Sequence, residues 1–177
     1  MRGRQRGITL IEMMMALAIA GILFAMGVPA LGSMLARTHQ QTAGDALQDS
    51  LMQARELAVM RGIQVIVCPT ADGVRCSNDD LWQRGWMIAA DANDDRQPDA
   101  TLAKFDPMPP TMRIVSSEGR PLVLFQPDGS AGGSNAQLTL CSVTDAREGR
   151  AIIVSNSGRI RTAPADASHL QSCLASN

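Results

Sequence analysis

The sequence predicts an α+β protein, with one long N-terminal helix packed on an antiparallel β-sheet domain. Three observations carry that expectation. An apolar run from Ile8 to Val28 carries a single charge, Glu12. Apolar residues then recur at helical spacing as far as Arg61. Beyond Gly62 the texture changes to short β-like runs divided by turn signals, with no helix-period segment among them.

The first run comes after three arginines, Arg2, Arg4 and Arg6. As a helix rising about 1.5 Å per residue it is roughly 30 Å long, enough to cross a hydrocarbon core. The basic flank predicts a cytoplasmic N-terminus and an exported remainder. Left unpaired at membrane depth, the Glu12 carboxylate would cost roughly 3 kcal/mol, which marks it as a functional residue. Pro29 falls inside the helical stretch and is expected to kink or loosen it. A plain secretory signal cut near Val28-Pro29-Ala30 is the simpler alternative. The acid within the apolar region and the length of that region argue against it.

From Arg37 to Arg61 the residues Leu47, Leu51, Ala54, Leu57 and Ala58 form one stripe, with Gln48, Asp49, Gln53, Arg55 and Glu56 on the other faces. Gly62 supplies the stop. The strand candidates are residues 63–68, 85–90, 112–116, 122–126, 136–142, 151–155 and 158–162. Turn signals at Asp128-Gly129, Gly132-Gly133 and Asn156-Ser157-Gly158 separate the later ones.

With two Trp, three Phe and no Tyr, the core must lean on Val, Ile, Leu and Met. Cys68, Cys76, Cys141 and Cys173 all lie beyond the apolar run, on the exported side. An even count in an oxidising compartment points to two disulfides. Three pairings are open, and the expected one joins Cys68 to Cys76 in a short loop and Cys141 to Cys173 at the tail. A zinc site is disfavoured, because no C-x-x-C pair exists and His39 and His169 stand far apart in the sequence.

The arrangement Gly7-Ile8-Thr9-Leu10-Ile11-Glu12 resembles the processing site of type IV prepilins and of type II secretion pseudopilins. The resemblance implies that prepilin peptidase cuts between Gly7 and Ile8, that the new N-terminus is methylated, and that Glu12 serves assembly with other pilins or pseudopilins. Ile8 stands where the family usually has phenylalanine. The chain then divides into a leader (1–7), a transmembrane and assembly helix (8–36), its amphipathic continuation (37–62) and an exported β-rich domain (63–177). Without the leader, thirteen Lys and Arg face seventeen Asp and Glu, a net charge of −4, so any nucleic-acid contact must come from a local patch.

Within the later part, Val67-Cys68-Pro69-Thr70, Asp72-Gly73, Cys76, Trp82, Gly85-Trp86 and Asp91-Ala92-Asn93 are similar to the GspH/FimT branch of minor pilins and pseudopilins. So are Phe125-Gln126-Pro127-Asp128-Gly129, Leu140-Cys141 and Gly158-Arg159-Ile160-Arg161. The branch implies a type IV pilin-like fold and two alternative roles. One is a type IV pilus subunit that contacts double-stranded DNA in natural transformation. The other is a type II secretion minor pseudopilin acting in pseudopilus assembly. Either implies an inner-membrane protein, single-pass, with a periplasmic domain before assembly.

Arg159 and Arg161 match the Gly-Arg-x-Arg motif of the DNA-capturing members. In a strand they project to one face, and Arg147 and Arg150 come close if the last two runs form a hairpin. Arginine suits phosphate contacts that ignore base sequence. Taken alone, the two arginines are better explained by neutralising Asp145 and Glu148 or by guarding a sheet edge.

No catalytic constellation is present. Both histidines are isolated, and neither G-x-S-x-G nor a P-loop occurs, so the chain is read as a non-enzyme without cofactor or metal. Residues 91–95 open like a calcium loop, yet Arg96 and Leu102 occupy the positions that need glycine and glutamate. Trp82 and Trp86 are expected in the core.

Overall fold

The computed structural model describes residues 9–177 except 78, 80, 118, 134, 144–148, 176 and 177, and omits the side chains at 26, 28–30, 33 and 36. Two compact units result, residues 1–35 and 36–177. Helix α1 spans Leu10–Arg61, and the helical assignment passes position 29 without a break. Among the described residues no helix is long and apolar enough to cross a membrane. The span expected over residues 8–28 includes Ile8 and the side chains of Met26 and Val28, which lie outside the described residues.

In the second unit α1 buries Ala43, Leu47, Leu51, Ala54 and Ala58 on one face, and Leu57 packs at the margin. The helix closes at Gly62, whose φ of 64° is left-handed and whose N–H donates to the Ala58 carbonyl at 3.0 Å. Eight strands follow: β1 (Gln64–Pro69), β2 (Trp86–Asp91), β3 (Ala100–Phe105), β4 (Met112–Ser116), β5 (Val123–Phe125), β6 (Ala136–Ser142), β7 (Gly149–Val154) and β8 (Ile160–Pro164). They form two four-stranded antiparallel sheets, ordered β3-β2-β1-β5 and β4-β6-β7-β8. Each sheet turns an apolar face to the α1 stripe: Val65, Val67 and Ile88 from the first, Ile114, Leu138, Leu140, Ile152 and Val154 from the second. Each fully buried aliphatic side chain contributes about 1.5–3 kcal/mol.

Two elements depart from the expected pattern. Strand β3 is an edge strand whose side chains are exposed or half-buried, so Ala-Thr-Leu-Ala-Lys-Phe carries little alternation to read. Helix α2 (Ala167–Ala175) follows the last strand, where no helix was expected. Asp166 caps it: its Oδ1 accepts the His169 N–H at 2.9 Å and the Ser168 hydroxyl at 2.8 Å.

Both sheets are covered on the side away from α1 by segments held with disulfides. The Cys68–Cys76 bond closes the loop after β1 over Ile66, Met87, Ala89 and Leu124. The Cys141–Cys173 bond ties α2 to β6. The loop 70–75 is also organised by Asp72, whose Oδ1 accepts the N–H groups of Val74 (2.8 Å) and Arg75 (3.0 Å) and the Thr70 hydroxyl (3.2 Å). The Arg75 and Val74 N–H donors pull its carboxyl down to about 2.

Two predictions follow from these clasps. Loop closure over a sequence separation of 32 contributes about 3–4 kcal/mol against about 2–3 kcal/mol for a separation of 8. Urea denaturation should therefore show a larger loss for the Cys141→Ala, Cys173→Ala pair than for Cys68→Ala, Cys76→Ala. For Asp72, a folded value below the ordinary carboxyl range means stability that is present above about pH 4 and lost as pH falls toward 2. The gap in denaturation midpoint between the native chain and Asp72→Ala should be constant at pH 5–6 and close between about pH 4 and 2.

Candidate functional site

The strands β7 and β8 form the expected hairpin, with β8 at the free edge of its sheet. Residues 155–159 connect them. The Gly158 N–H donates to the Ser155 carbonyl at 2.8 Å, and the Ser155 N–H donates to the Arg159 carbonyl at 3.0 Å. Gly158 has φ 76°, and a Cβ there would run into the Gly129 carbonyl oxygen. That oxygen also accepts Arg55 Nε from α1 at 2.9 Å, and the Ala131 N–H donates to the Asn156 carbonyl at 2.9 Å. The turns around Gly129 and Gly158 thus pack on each other and on α1 at Arg55 and Val59. The glycine of Gly158-Arg159-Ile160-Arg161 is a packing requirement as well as a turn residue.

Of the four arginines expected to act together, Arg150 is turned away from Arg161, and Arg147 lies outside the described residues. Arg159 belongs to the turn, one residue ahead of β8, so strand alternation does not govern it. It lines a groove of about 520 Å³ together with Met52, Arg55, Glu56, Val59, Met60 and Ile160. Arg161 pairs with Ile153 across the hairpin, on the face opposite to Thr162, whose hydroxyl donates to Gln48 of α1. Both arginines are exposed, and neither makes an ion pair among the described residues.

Arg150 corrects the expectation. It pairs with Pro164, an odd number of residues from the Ile153–Arg161 pair, and so faces the other way from Arg161. Its guanidinium lies over Gly44, donating to Asp45 Oδ1 at 2.8 Å and to the Gln41 carbonyl at 3.4 Å. A partner on α1 therefore occupies it. Arg147 lies outside the described residues, as do Asp145, Glu148, Gly7 and Ile8; the Pro29 side chain does too. The residue that sequence reading missed is Arg55, placed on a polar helix face and brought beside Arg159 only when the two turns fold back.

In the first unit, Thr9 and Glu12 form a reciprocal cap at the start of α1. The Thr9 N–H and hydroxyl both donate to Glu12 Oε2 at 3.1 Å, and the Glu12 N–H donates to Thr9 Oγ1 at 3.4 Å. The Glu12 carboxylate thus has local partners within its own chain.

The other motifs settle into structure. Trp86 is buried, donates Nε1 to Ser50 Oγ at 2.9 Å and stacks on Phe105 with centroids 5.2 Å apart; Trp82 is buried beside it in the core. The buried Asp91 carboxylate accepts the N–H groups of Asp95 (3.0 Å) and Arg96 (2.9 Å), and burial pushes its pKa up against those donors. Both its oxygens are thereby engaged by backbone. Among the described residues no group of three or more His, Cys, Asp or Glu is arranged to hold a metal ion.

Gly158→Ala should be far costlier than Gly133→Ala. Position 133 has φ 80° but open space around it, so strain of about 1–2 kcal/mol is all it should lose. Position 158 adds a backbone collision, and its denaturation midpoint should drop further, with Arg159 displaced.

Comparison with known proteins bears on both the N-terminal stretch and most of the second unit. A family model described as type II transport protein GspH matches residues 43–158, and one described as prokaryotic N-terminal methylation motif matches residues 2–28. The GspH match stops at Gly158, just short of Arg159 and Arg161. No curated protein matches. Among solved structures, the Pseudomonas aeruginosa type IV minor pilin FimU is similar at a TM-score of 0.60 and 22% identity, covering 72% of this chain and 90% of that one. The minor pseudopilin EpsH from the Type 2 Secretion System of Vibrio cholerae is similar at 0.53 and 12%, covering 71% and 97%. At these identities the likeness speaks to fold: a type IV pilin-like α+β architecture. The methylation motif implies processing by prepilin peptidase, membrane anchoring and assembly with other pilins or pseudopilins. The chain belongs to the GspH family, a family of structural minor pilins and pseudopilins rather than of enzymes.

Proposed function

We propose that this subunit joins a type IV pilus and contacts DNA through its C-terminal arginines during natural transformation. The observation that carries the reading is the pair of exposed guanidinium groups, Arg159 and Arg161, at the free edge of the second sheet, without a carboxylate partner among the described residues. Guanidinium groups so presented favour phosphate over any particular base, and the contact is electrostatic because no aromatic residue lies in the hairpin.

The route to that position runs through the N-terminus. Prepilin peptidase removes residues 1–7 and leaves a methylated Ile8. The helix holds the subunit in the inner membrane, single-pass, with the N-terminus cytoplasmic and the domain periplasmic. Glu12 then exchanges its Thr9 cap for the terminal ammonium of a neighbouring subunit, which offsets the cost of a carboxylate in lipid. The protein has no catalytic role and needs no cofactor. A second reading, a minor pseudopilin of type II secretion acting in pseudopilus assembly, is favoured by the description of the matching family and by the likeness to EpsH.

The two readings separate by titration of duplex DNA with the full chain in detergent. The first expects binding that weakens steeply with salt. Arg159→Ala with Arg161→Ala should lower the slope of log K against log salt by up to about two. Absence of binding even at low salt would discard DNA contact and leave the secretion reading. In subunit purified from cells that carry prepilin peptidase, mass spectrometry should find methylated Ile8 as the mature N-terminus, whereas an end near residue 31 would contradict the processing route.

A further inference from the structure

The groove beside Arg159 has a composition that backbone contact with a duplex does not use. Its helix wall is built from two adjacent rows of α1, Met52-Glu56-Met60 and Arg55-Val59, each spaced four residues apart. The opposite wall is Ser157, Arg159 and Ile160. Met52, Val59 and Met60 are 45%, 52% and 73% exposed, an apolar floor left open on a helix that elsewhere in this unit buries its apolar side chains. Two guanidinium groups from different elements border it. Arg55 commits only its Nε, to the Gly129 carbonyl; its terminal nitrogens make no ion pair among the described residues. Glu56 is the one carboxylate on the lining, and it suits an exocyclic amino group rather than a phosphate.

Charge and shape together select the occupant. Paired arginines at an opening favour a phosphate, which each binds in a fork. An open groove of about 520 Å³ is the size of a small organic ligand, and its partly apolar lining suits a base and sugar better than the charged backbone of an intact duplex. Resting on the DNA reading given above, we propose that this groove takes an unpaired nucleotide at a DNA end, its phosphate between Arg55 and Arg159 and its sugar and base against Met52, Val59 and Met60. Arg55 is then a phosphate-contacting residue in its own right, beyond holding the Gly129 carbonyl.

Fluorescence anisotropy on the full chain in detergent tests this with two labelled ligands, a blunt duplex and the same duplex carrying a short unpaired overhang. The native chain should bind the overhang about tenfold more tightly, the scale of one charge-assisted contact. Arg55→Gln should abolish that preference and lower the salt slope for the overhang by about 0.7, while Arg55→Lys, which keeps the charge, should keep the slope. Equal binding of the two ligands by the native chain overturns the proposal and leaves duplex contact standing. Loss of affinity in both variants with an unchanged slope also overturns it, because Arg55 would then act only by holding the turn. Binding of neither ligand removes the DNA reading itself, and this inference with it.

Discussion

One buried helix face holds the second unit together. Leu47, Leu51, Ala54 and Ala58 of α1 are wholly inaccessible, and both sheets close on them. The small residues let the strands approach the helix axis, while the leucines fill the space between the sheets. A polar residue in this face, Ser50, is satisfied from both sides: its hydroxyl donates to the Leu47 carbonyl at 2.7 Å and accepts Trp86 Nε1 at 2.9 Å. That pair fixes the largest aromatic of the first sheet on the helix without leaving a buried donor unmatched.

The candidate surface follows from the flank of the same helix. Arg55 and Val59 stand beside the buried stripe and receive two turns that are far apart in sequence, those of Gly129 and Gly158. Arg159 is presented where it is because Gly158 lies against the Gly129 carbonyl and nothing larger fits. Further back along α1, Asp45 draws Arg150 onto the helix and removes it from the exposed set. The electropositive surface of this acidic subunit is therefore sorted by ion pairing: arginines with a helix carboxylate in reach become structural, and those at the sheet edge remain available.

What could be read from the chain follows the range of the interactions concerned. The α1 stripe was legible because Leu47, Leu51 and Ala58 repeat at helical spacing, and β1 and β7 because Ile66, Val67, Ile152 and Ile153 sit in β-branched runs. Strand β3 was not, since an edge strand with exposed faces has no reason to alternate. Helix α2 is nine residues long and is fastened to the sheet by Cys141–Cys173, although its cap at Asp166 was a local signal available to be read. The long-range partners of Arg150 and Arg55, Asp45 and the Gly129 carbonyl, were not legible because they are about a hundred and about seventy residues distant in the chain. Local sequence carries no record of such pairings.

If one helix face makes both sheets a single cooperative body, shaving that face must weaken them together. Native-state hydrogen exchange on Leu51→Ala against the native chain measures this amide by amide. The slowest amides of β1 and β2 and those of β6 and β7 should lose the same protection, about 3–5 kcal/mol for a buried leucine. A loss confined to one sheet, with the other unchanged, would contradict the account.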